Sequence, residues 1–383
     1  MIGHGFMGAA HSVGWRQAPA VFDLPAKVEM AVVVGRDAAR VASDAAHWGW
    51  AESATDWREV VAREDVDVID IVTPGTSHAE IAIAALKAGK HVLCEKPLAN
   101  TVQEAVAMTA AAEEAAARGV RAMVGFTYRR VPAVTHMAHL ISQGAIGEVR
   151  QVRAAYRQDW LADENAPLAW RLQKELAGSG ALGDIGAHII DMTQFVTGQS
   201  LDSVSGTLET LVKRRPLQSS GTGLSGEAVA GGGYGDVTVD DSAYFTGRLS
   251  GGALASFEAT RFATGRKNAL TLEVSGSLGA LAFDLEDLNV LGFYDRTAPG
   301  DRQGFTRIIV TAPEHPYVGA WWPEGHMLGY EHGFSHQVVD LVTAIADGTA
   351  PRPSFADGLG VQRVLRAVEE SAGKGSAWVP TGA

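Results

Sequence analysis

The sequence predicts two α/β domains. The first is built on a doubly wound parallel sheet, and the second is an α+β domain with a large, mostly antiparallel open sheet. Three observations carry this. At roughly 150 residues per domain, 383 residues make about two. The first third alternates β-branched runs with Ala-rich helical stretches, the mark of βαβ units. After Tyr128, period-two segments follow one another across Gly-Ser turns, as antiparallel strands do. The domains are therefore placed at 1–127 and 128–383.

The elements follow in order. Ala9–Arg16 continues a glycine turn as a helix. Val28–Gly35, Val66–Thr73, Lys90–Cys94 and Ala122–Phe126 read as strands. Between them lie the helices Asp37–Trp48, Ser77–Ala88 and Thr101–Ala117. The second ends at Gly89, and the third is capped by Asn100 or Thr101. Beyond Tyr128, Val131–Gln143 is a helix ending at Gly144. Strands follow at Val149–Trp160, Val204–Val212, Val237–Leu249, Ala253–Phe262, Ala269–Ser275, Gly279–Phe283, Val290–Tyr294 and Phe305–Val310. Helices interrupt them at Gly183–Val196, Phe334–Ala346 and Gly358–Ala372. Leu217–Asp236 is rich in Gly and Ser and has no period, as expected of a mobile loop or a lid.

Composition removes several function classes. With 32 basic against 44 acidic residues the net charge is −12, so nucleic acid is not an expected partner. Cys94 is the single cysteine and sits in an apolar strand, which excludes an intrachain disulfide and reads as packing. No apolar run approaches the ~18 residues of a membrane helix. No signal segment is visible, and a cytoplasmic protein is expected.

Gly3-His4-Gly5-Phe6-Met7-Gly8 fits G-x-G-x-x-G. In that pattern the first Gly makes a tight turn, the second lets a diphosphate approach, and the third lets helix and strand pack. A strand should precede it, and Met1-Ile2 is too short for one. The native chain is therefore expected to begin several residues upstream. Arg36 and Arg40, at the end of the next strand, suit the 2′-phosphate of NADP, while Asp37 suits the ribose hydroxyl of NAD. The two arginines tilt the expectation toward NADP. Thr73, Pro74 and His78 lie just after a strand, where cofactors bind, although His78 also reads as a surface helix residue. Glu95-Lys96-Pro97 follows another strand. Its Lys can stabilise a developing alkoxide, and a cis proline bond would fix where it points.

The densest cluster is Gly178–Asp191. On a regular helix Asp184, His188 and Asp191 share one face, which offers a carboxylate beside an imidazole for acid–base work. A metal is the weaker reading, because no second His stands at ligand spacing. Asp184 also reads as a plain helix-start charge. Gln158, Trp160, Trp170 and Arg171 are near in sequence, a polar and aromatic set that suits a sugar, though Trp is also a common core residue. Gly3, Gly5, Gly8, Gly178, Gly180 and Gly183 are expected to serve close approach of ligands.

These pieces together resemble the glucose–fructose oxidoreductase / inositol dehydrogenase (Gfo/Idh/MocA) family. The resemblance runs over essentially the whole chain, through the glycine motif, Gly89–Pro97, Tyr128-Arg129-Arg130 and Gly178–Asp191. Within it, Gln158-Asp159-Trp160 and Trp170-Arg171 look closest to levoglucosan dehydrogenase-like sugar dehydrogenases. The resemblance implies a Rossmann domain binding NAD or NADP and a second domain whose open sheet is an oligomer interface, giving a homodimer or homotetramer. It implies oxidation of a secondary hydroxyl of a cyclic sugar, anhydro-sugar or inositol. Lys96 would bond the reacting hydroxyl and His188 take its proton, with Asp184 tuning the imidazole, although Lys96 is a rival for the base. Tyr128, Gln158, Trp160 and Arg171 would line the substrate pocket. Trp170 and Arg171 would reach the cofactor with Glu95, Phe6 and Met7. A nucleotide-binding sensor without turnover is the competing class, as is an enzyme that recycles a tightly held cofactor between sugars.

Overall fold

The computed structural model describes residues 1–220, 227–228 and 232–382. The chain forms two compact units, Met1–Thr127 with Tyr330–Gln362, and Tyr128–Gly329 with Arg363–Ala383. Tyr330–Gln362 thus leaves the second domain, where the sequence reading put it. The reason is burial. The helix His332–Asp347 lays Val338, Leu341 and Val342 against Trp15, Ala18, Leu93 and Met123. Gly14 meets it so closely that a Cβ there would lie 2.9 Å from the Phe334 backbone.

The first unit holds strands β1 (Val32–Val34), β2 (Glu52–Ala54), β3 (Val68–Ile71), β4 (His91–Cys94) and β5 (Ala122–Val124). Its helices are α1 (Phe6–Val21), α2 (Ala38–Trp48), α3 (Trp57–Val61), α4 (His78–Lys87) and α5 (Val102–Ala116). All strand pairs run parallel: β1 with β2, and β3 with β4 with β5. Met1–Gly3 fills the gap between β1 and β3. The Ile2 N–H donates to Asp70 O at 2.7 Å, and Ile2 O accepts from Val72 N–H at 2.9 Å. On the other side the Val34 N–H donates to Met1 O and the Gly3 N–H to Val34 O, each at 2.9 Å. Met1 and Ile2, read as too short for a strand, therefore join β1 to β3 through backbone bonds. The β1 strand is shorter than expected and begins at Val32; before it Val28 and Met30 pack on the apolar core, and Met30 O accepts the Ala51 N–H at 2.9 Å. At the helix starts Asp37 accepts the Arg40 N–H at 3.0 Å, and Thr101 forms a capping box with Glu104.

One ionic cluster lies inside this unit. His11 of α1 is 2% exposed, Asp70 of β3 2% and Glu95 4%. His11 Nδ1 lies 2.9 Å from Asp70 Oδ2, and Nε2 lies 3.0 Å from Glu95 Oε1. Burial alone would lower the imidazole pKa, but the two carboxylates outweigh it and raise it to about 10. A folded pKa above the unfolded value of about 6.5 gives stability that is complete below that value. It is lost as pH rises through the folded pKa, by about 1.4 kcal/mol per pH unit. Thermal unfolding followed between about pH 7 and about pH 10 should therefore show a falling Tm. His11→Gln should flatten that slope, and an equal slope in the variant would contradict the assignment.

The second unit is built on a mixed sheet. Its strands are β6 (Val149–Arg157), β7 (Leu201–Glu209), the short pairs β8 (Arg214–Pro216) with β11 (Tyr234–Asp236) and β9 (Gln218–Ser220) with β10 (Glu227–Ala228), then β12 (Ser242–Leu249), β13 (Leu254–Thr260), β14 (Ala269–Gly276), β15 (Gly279–Asp284), β16 (Val290–Asp295), β17 (Phe305–Ile309) and β18 (Val379–Pro380). Among the described residues nine of these form one sheet in the order β17-β16-β15-β14-β6-β13-β12-β7-β18. Every neighbouring pair is antiparallel except β13 with β6. The helices Pro132–Ser142 and Ala187–Thr197 pack on one face. The other face carries an open groove of about 590 Å³, lined by Arg153, Arg157, Glu258, Glu273, Asp284 and Asp287 among others. Part of Leu217–Asp236, expected as a loop, pairs as β9, β10 and β11. Its residues 221–226 and 229–231 lie outside the described residues.

Candidate active site

In the first unit the glycine turn leads straight into α1. Gly5 is the N-cap, with no side-chain cap and no acidic residue in the first turn. The helix start is therefore a ready anion site. Gly3 has φ +109°, and a Cβ there would press 2.9 Å from the Val72 backbone. Gly5 differs, because a Cβ would meet nothing within 4 Å. Folding does not need glycine at 5, and the open space before α1 fits a dinucleotide diphosphate. Gly5→Ala should accordingly keep its Tm within about 2 °C, since its Cβ enters open space and glycine is not required there. It should weaken nicotinamide dinucleotide binding at least tenfold, about 1.4 kcal/mol. Calorimetric titration and thermal melts check both halves, and unchanged affinity would remove the diphosphate from this turn.

Phe6 is exposed, and Met7 packs toward Val33 and Val41. Arg36, Asp37 and Arg40 are exposed at the end of β1 and the start of α2. Thr73 is half-buried and Pro74 exposed after β3. His78 is 1% exposed, neither a surface residue nor an open pocket wall. Its Nε2 lies 2.8 Å from Thr73 O and its Nδ1 3.1 Å from Pro97 O, so it ties the loop after β3 to the loop after β4. Burial lowers its pKa. Lys96 is half-buried after β4, and its bond to Pro97 is cis.

The second unit gathers the other candidates. The segment Leu182–Gly186 is a π-turn, not the regular helix that the sequence reading assumed, and it feeds the helix Ala187–Thr197. Asp240 fixes the start of the turn by accepting the Gly180 N–H at 2.7 Å and the Leu182 N–H at 2.8 Å. A Cβ on Gly180 would run into the Asp240 backbone, so this glycine serves packing and not a ligand. The extra residue in the turn shifts Asp184 out of regular helical register with His188, while His188 and Asp191 stay three apart on the regular helix that follows. Asp191 is 1% exposed and takes a two-pronged bond from Arg129, Nε to Oδ2 at 2.8 Å and Nη2 to Oδ1 at 2.5 Å. Its role is structural.

His188 sits half-buried with its ring 4.7 Å from the Tyr128 ring and 5.9 Å from Tyr156. The two phenol oxygens are 2.8 Å apart. The Tyr156 hydroxyl donates to Asn268 Oδ1 at 2.8 Å, and Gln158 Nε2 donates to the same oxygen at 2.7 Å. Trp160 Nε1 donates to Gln158 Oε1 at 3.1 Å. The guanidinium of Arg261 lies 5.5 Å over the Trp160 ring, and its Nη1 is 3.8 Å from Asp184 Oδ2. Arg171 stacks 4.4 Å over Trp170. Burial lowers its pKa, Asp184 opposes that, and Arg261 adds to it.

Contacts link His188 and Tyr128 to Gln158, Trp160 and Asp184 through Tyr156, Asn268 and Arg261, and Arg171 feels the charge of Asp184. Tyr156, Asn268 and Arg261 were missed. The period of two along β6 marks Tyr156 as a same-face neighbour of Gln158. Nothing local marks Asn268 or Arg261, which stand at the two ends of the connection between β13 and β14. Among the described residues no group of three or more His, Cys, Asp or Glu is placed to hold a metal. The arrangement is an imidazole on an aromatic floor, with a chain of hydroxyl and amide groups suited to a polyol.

Comparison with known proteins agrees with this geometry. The description "Oxidoreductase family, NAD-binding Rossmann fold" matches residues 1–126, and "GFO/IDH/MocA C-terminal domain" matches residues 134–282. A levoglucosan dehydrogenase of Pseudarthrobacter phenanthrenivorans is 42% identical over 99% of this chain and 96% of its own. An oxidoreductase domain protein from Kribbella flavida superposes with a TM-score of 0.94 at 60% identity, over 99% of this chain and 97% of that one. A levoglucosan dehydrogenase in complex with NADH and levoglucosan superposes with a TM-score of 0.93 at 40% identity, over 100% and 98% of the two chains. The fold, the glycine turn and these matches together show that the chain is an oxidoreductase of the GFO/IDH/MocA family.

Proposed function

We propose that the chain is an NAD-dependent dehydrogenase that oxidises a secondary hydroxyl of a cyclic sugar or anhydro-sugar of the levoglucosan type. The observation that carries this is the linked set His188, Tyr128, Tyr156, Asn268 and Gln158, in a chain 42% identical to a levoglucosan dehydrogenase. Gly3, Gly5 and Gly8 with the start of α1 hold the cofactor diphosphate, and Thr73, Pro74 and Glu95 lie on the loops beside it. A bound nicotinamide would supply the acceptor for the hydride that leaves the carbinol carbon. His188 takes the hydroxyl proton, and Lys96 donates a hydrogen bond to the oxygen as it becomes an alkoxide. Asp184 favours the imidazolium that forms. Gln158, Asn268 and Trp160 bind the ring hydroxyls, with Trp170 and Arg171 beside them.

The cofactor is NAD in this reading. The structures of similar levoglucosan dehydrogenases contain NADH, and the NADP preference expected from Arg36 and Arg40 finds no support in them. A 2′-phosphate would also meet the Asp37 carboxylate, while a ribose hydroxyl can donate to it. The groove on the open face of the sheet, with its paired charges such as Arg153 and Glu273 at 2.8 Å, is the proposed surface for homo-oligomer formation. A cytoplasmic setting suits a chain whose single thiol, Cys94, is buried in β4.

The test is a panel of sugars, anhydro-sugars and inositols assayed with NAD and NADP in parallel. The expected result is cofactor reduction with a pyranose or anhydro-pyranose, at least tenfold faster in kcat/KM with NAD. Tight cofactor binding with no turnover on any member would favour a sensor. A preference for NADP would restore the reading from Arg36 and Arg40.

A further inference from the structure

The first unit contains an ionic cluster that the reaction above does not use directly. His11 bridges three elements: its own helix α1, Asp70 of β3 and Glu95 after β4. Trp15, one turn further along α1, donates Nε1–H to Asp70 Oδ2 at 2.7 Å. Each ring nitrogen of His11 thus faces a carboxylate, and only an imidazolium can donate to both. The other titratable groups that feel the cluster's carboxylates are the Met1 amine, which feels Asp70, the Cys94 thiol, which feels both, and His78, which feels Glu95. Glu95 in turn reaches back along the chain. Its Oε2 accepts the backbone N–H of Lys96 at 3.2 Å, and its own N–H donates to Ile71 O at 2.9 Å. A side chain at Gly125 would occupy the space of Glu95 Oε1.

We propose that His11 is a positioning residue. Its imidazolium locks Glu95, Glu95 pins the backbone of Lys96, and the Lys96 amine is thereby aimed from the same helix whose start holds the cofactor diphosphate. This rests on the role of Lys96 proposed above. It adds that α1 has two duties, one at its first turn and one at His11, so that cofactor grip and lysine aim share one rigid element. The link is carried by bonds that are out of water, where charge-assisted hydrogen bonds hold a geometry most firmly.

The experiment is a double-mutant cycle on the full chain with a sugar that turns over. His11→Gln should lower kcat about tenfold to a hundredfold, while the sugar KM and the NAD dissociation constant stay within about threefold. Combined with Lys96→Arg, His11→Gln should add less than a twofold further loss. An equal loss in both backgrounds would overturn the positioning role. Full turnover in Lys96→Ala would sink the reading of Lys96 itself, which is a separate outcome. Glu95→Gln, which keeps the shape and removes the charge, should reproduce the His11→Gln profile if the link runs through Glu95. A second measurement does not depend on any variant folding. In the ¹⁵N-histidine spectrum of the unmodified protein near pH 8, one imidazole should keep both nitrogens protonated. Its absence would overturn the imidazolium, and with it the proposal.

Discussion

Lys96→Ala and His188→Ala should each lower kcat/KM on the best sugar by about 10² to 10⁴-fold, the range for loss of a positioned acid, base or oxyanion donor. Both side chains are half-buried and neither fills the apolar core, so folding should survive. The two losses should differ in kind. Removing the imidazole removes the group that must be unprotonated to act. The acid limb of the kcat profile should then flatten in His188→Ala and persist in Lys96→Ala. The reverse pattern would make Lys96 the base. Near-normal turnover in both variants, with NAD still bound, would contradict the assignment altogether.

Asp191→Ala should do the opposite, costing stability and sparing chemistry. The carboxylate is 1% exposed and forms both bonds to Arg129, which is 8% exposed. Removing it leaves a buried guanidinium uncompensated, which costs about 3–5 kcal/mol. For a unit of this size that is a fall of roughly 6 to 20 °C in Tm. Activity per folded molecule should stay within a few-fold, because both carboxylate oxygens of Asp191 accept from Arg129. A variant that melts normally but has lost turnover would return Asp191 to the acid–base group.

Asp184 shows where the sequence could be read and where it could not. Spacing on a regular helix aligned Asp184 with His188, but the π-turn at Leu182–Gly186 is set by Asp240, roughly sixty residues away, through bonds to two backbone amides. Local pattern contains no such term. The same limit applies to Asn268 and Arg261, carried on the connection between β13 and β14, and to His332–Asp347, whose place in the first unit is decided by burial against Trp15 and Leu93. What is local was legible. The glycine turn, the Lys96–Pro97 segment after β4, and the Gln158–Trp160 run at the end of β6 stand where their neighbours predict. Met1–Gly3 marks a different limit, because a bridge of three residues held by four backbone bonds has no period to detect. His78 was placed at the right loops but in the wrong environment, since burial against two carbonyls depends on the paths of both loops.

The proposed reaction is direct hydride transfer from a sugar carbinol carbon to nicotinamide. Its most direct test is turnover of a levoglucosan-type substrate deuterated at its ring carbinol carbons, with mass analysis of the reduced cofactor. The expected result is one deuterium in each reduced nicotinamide and a slower hydride step than with the unlabelled sugar. Cofactor reduced without deuterium, or sugar consumed with no net cofactor reduction, would contradict it.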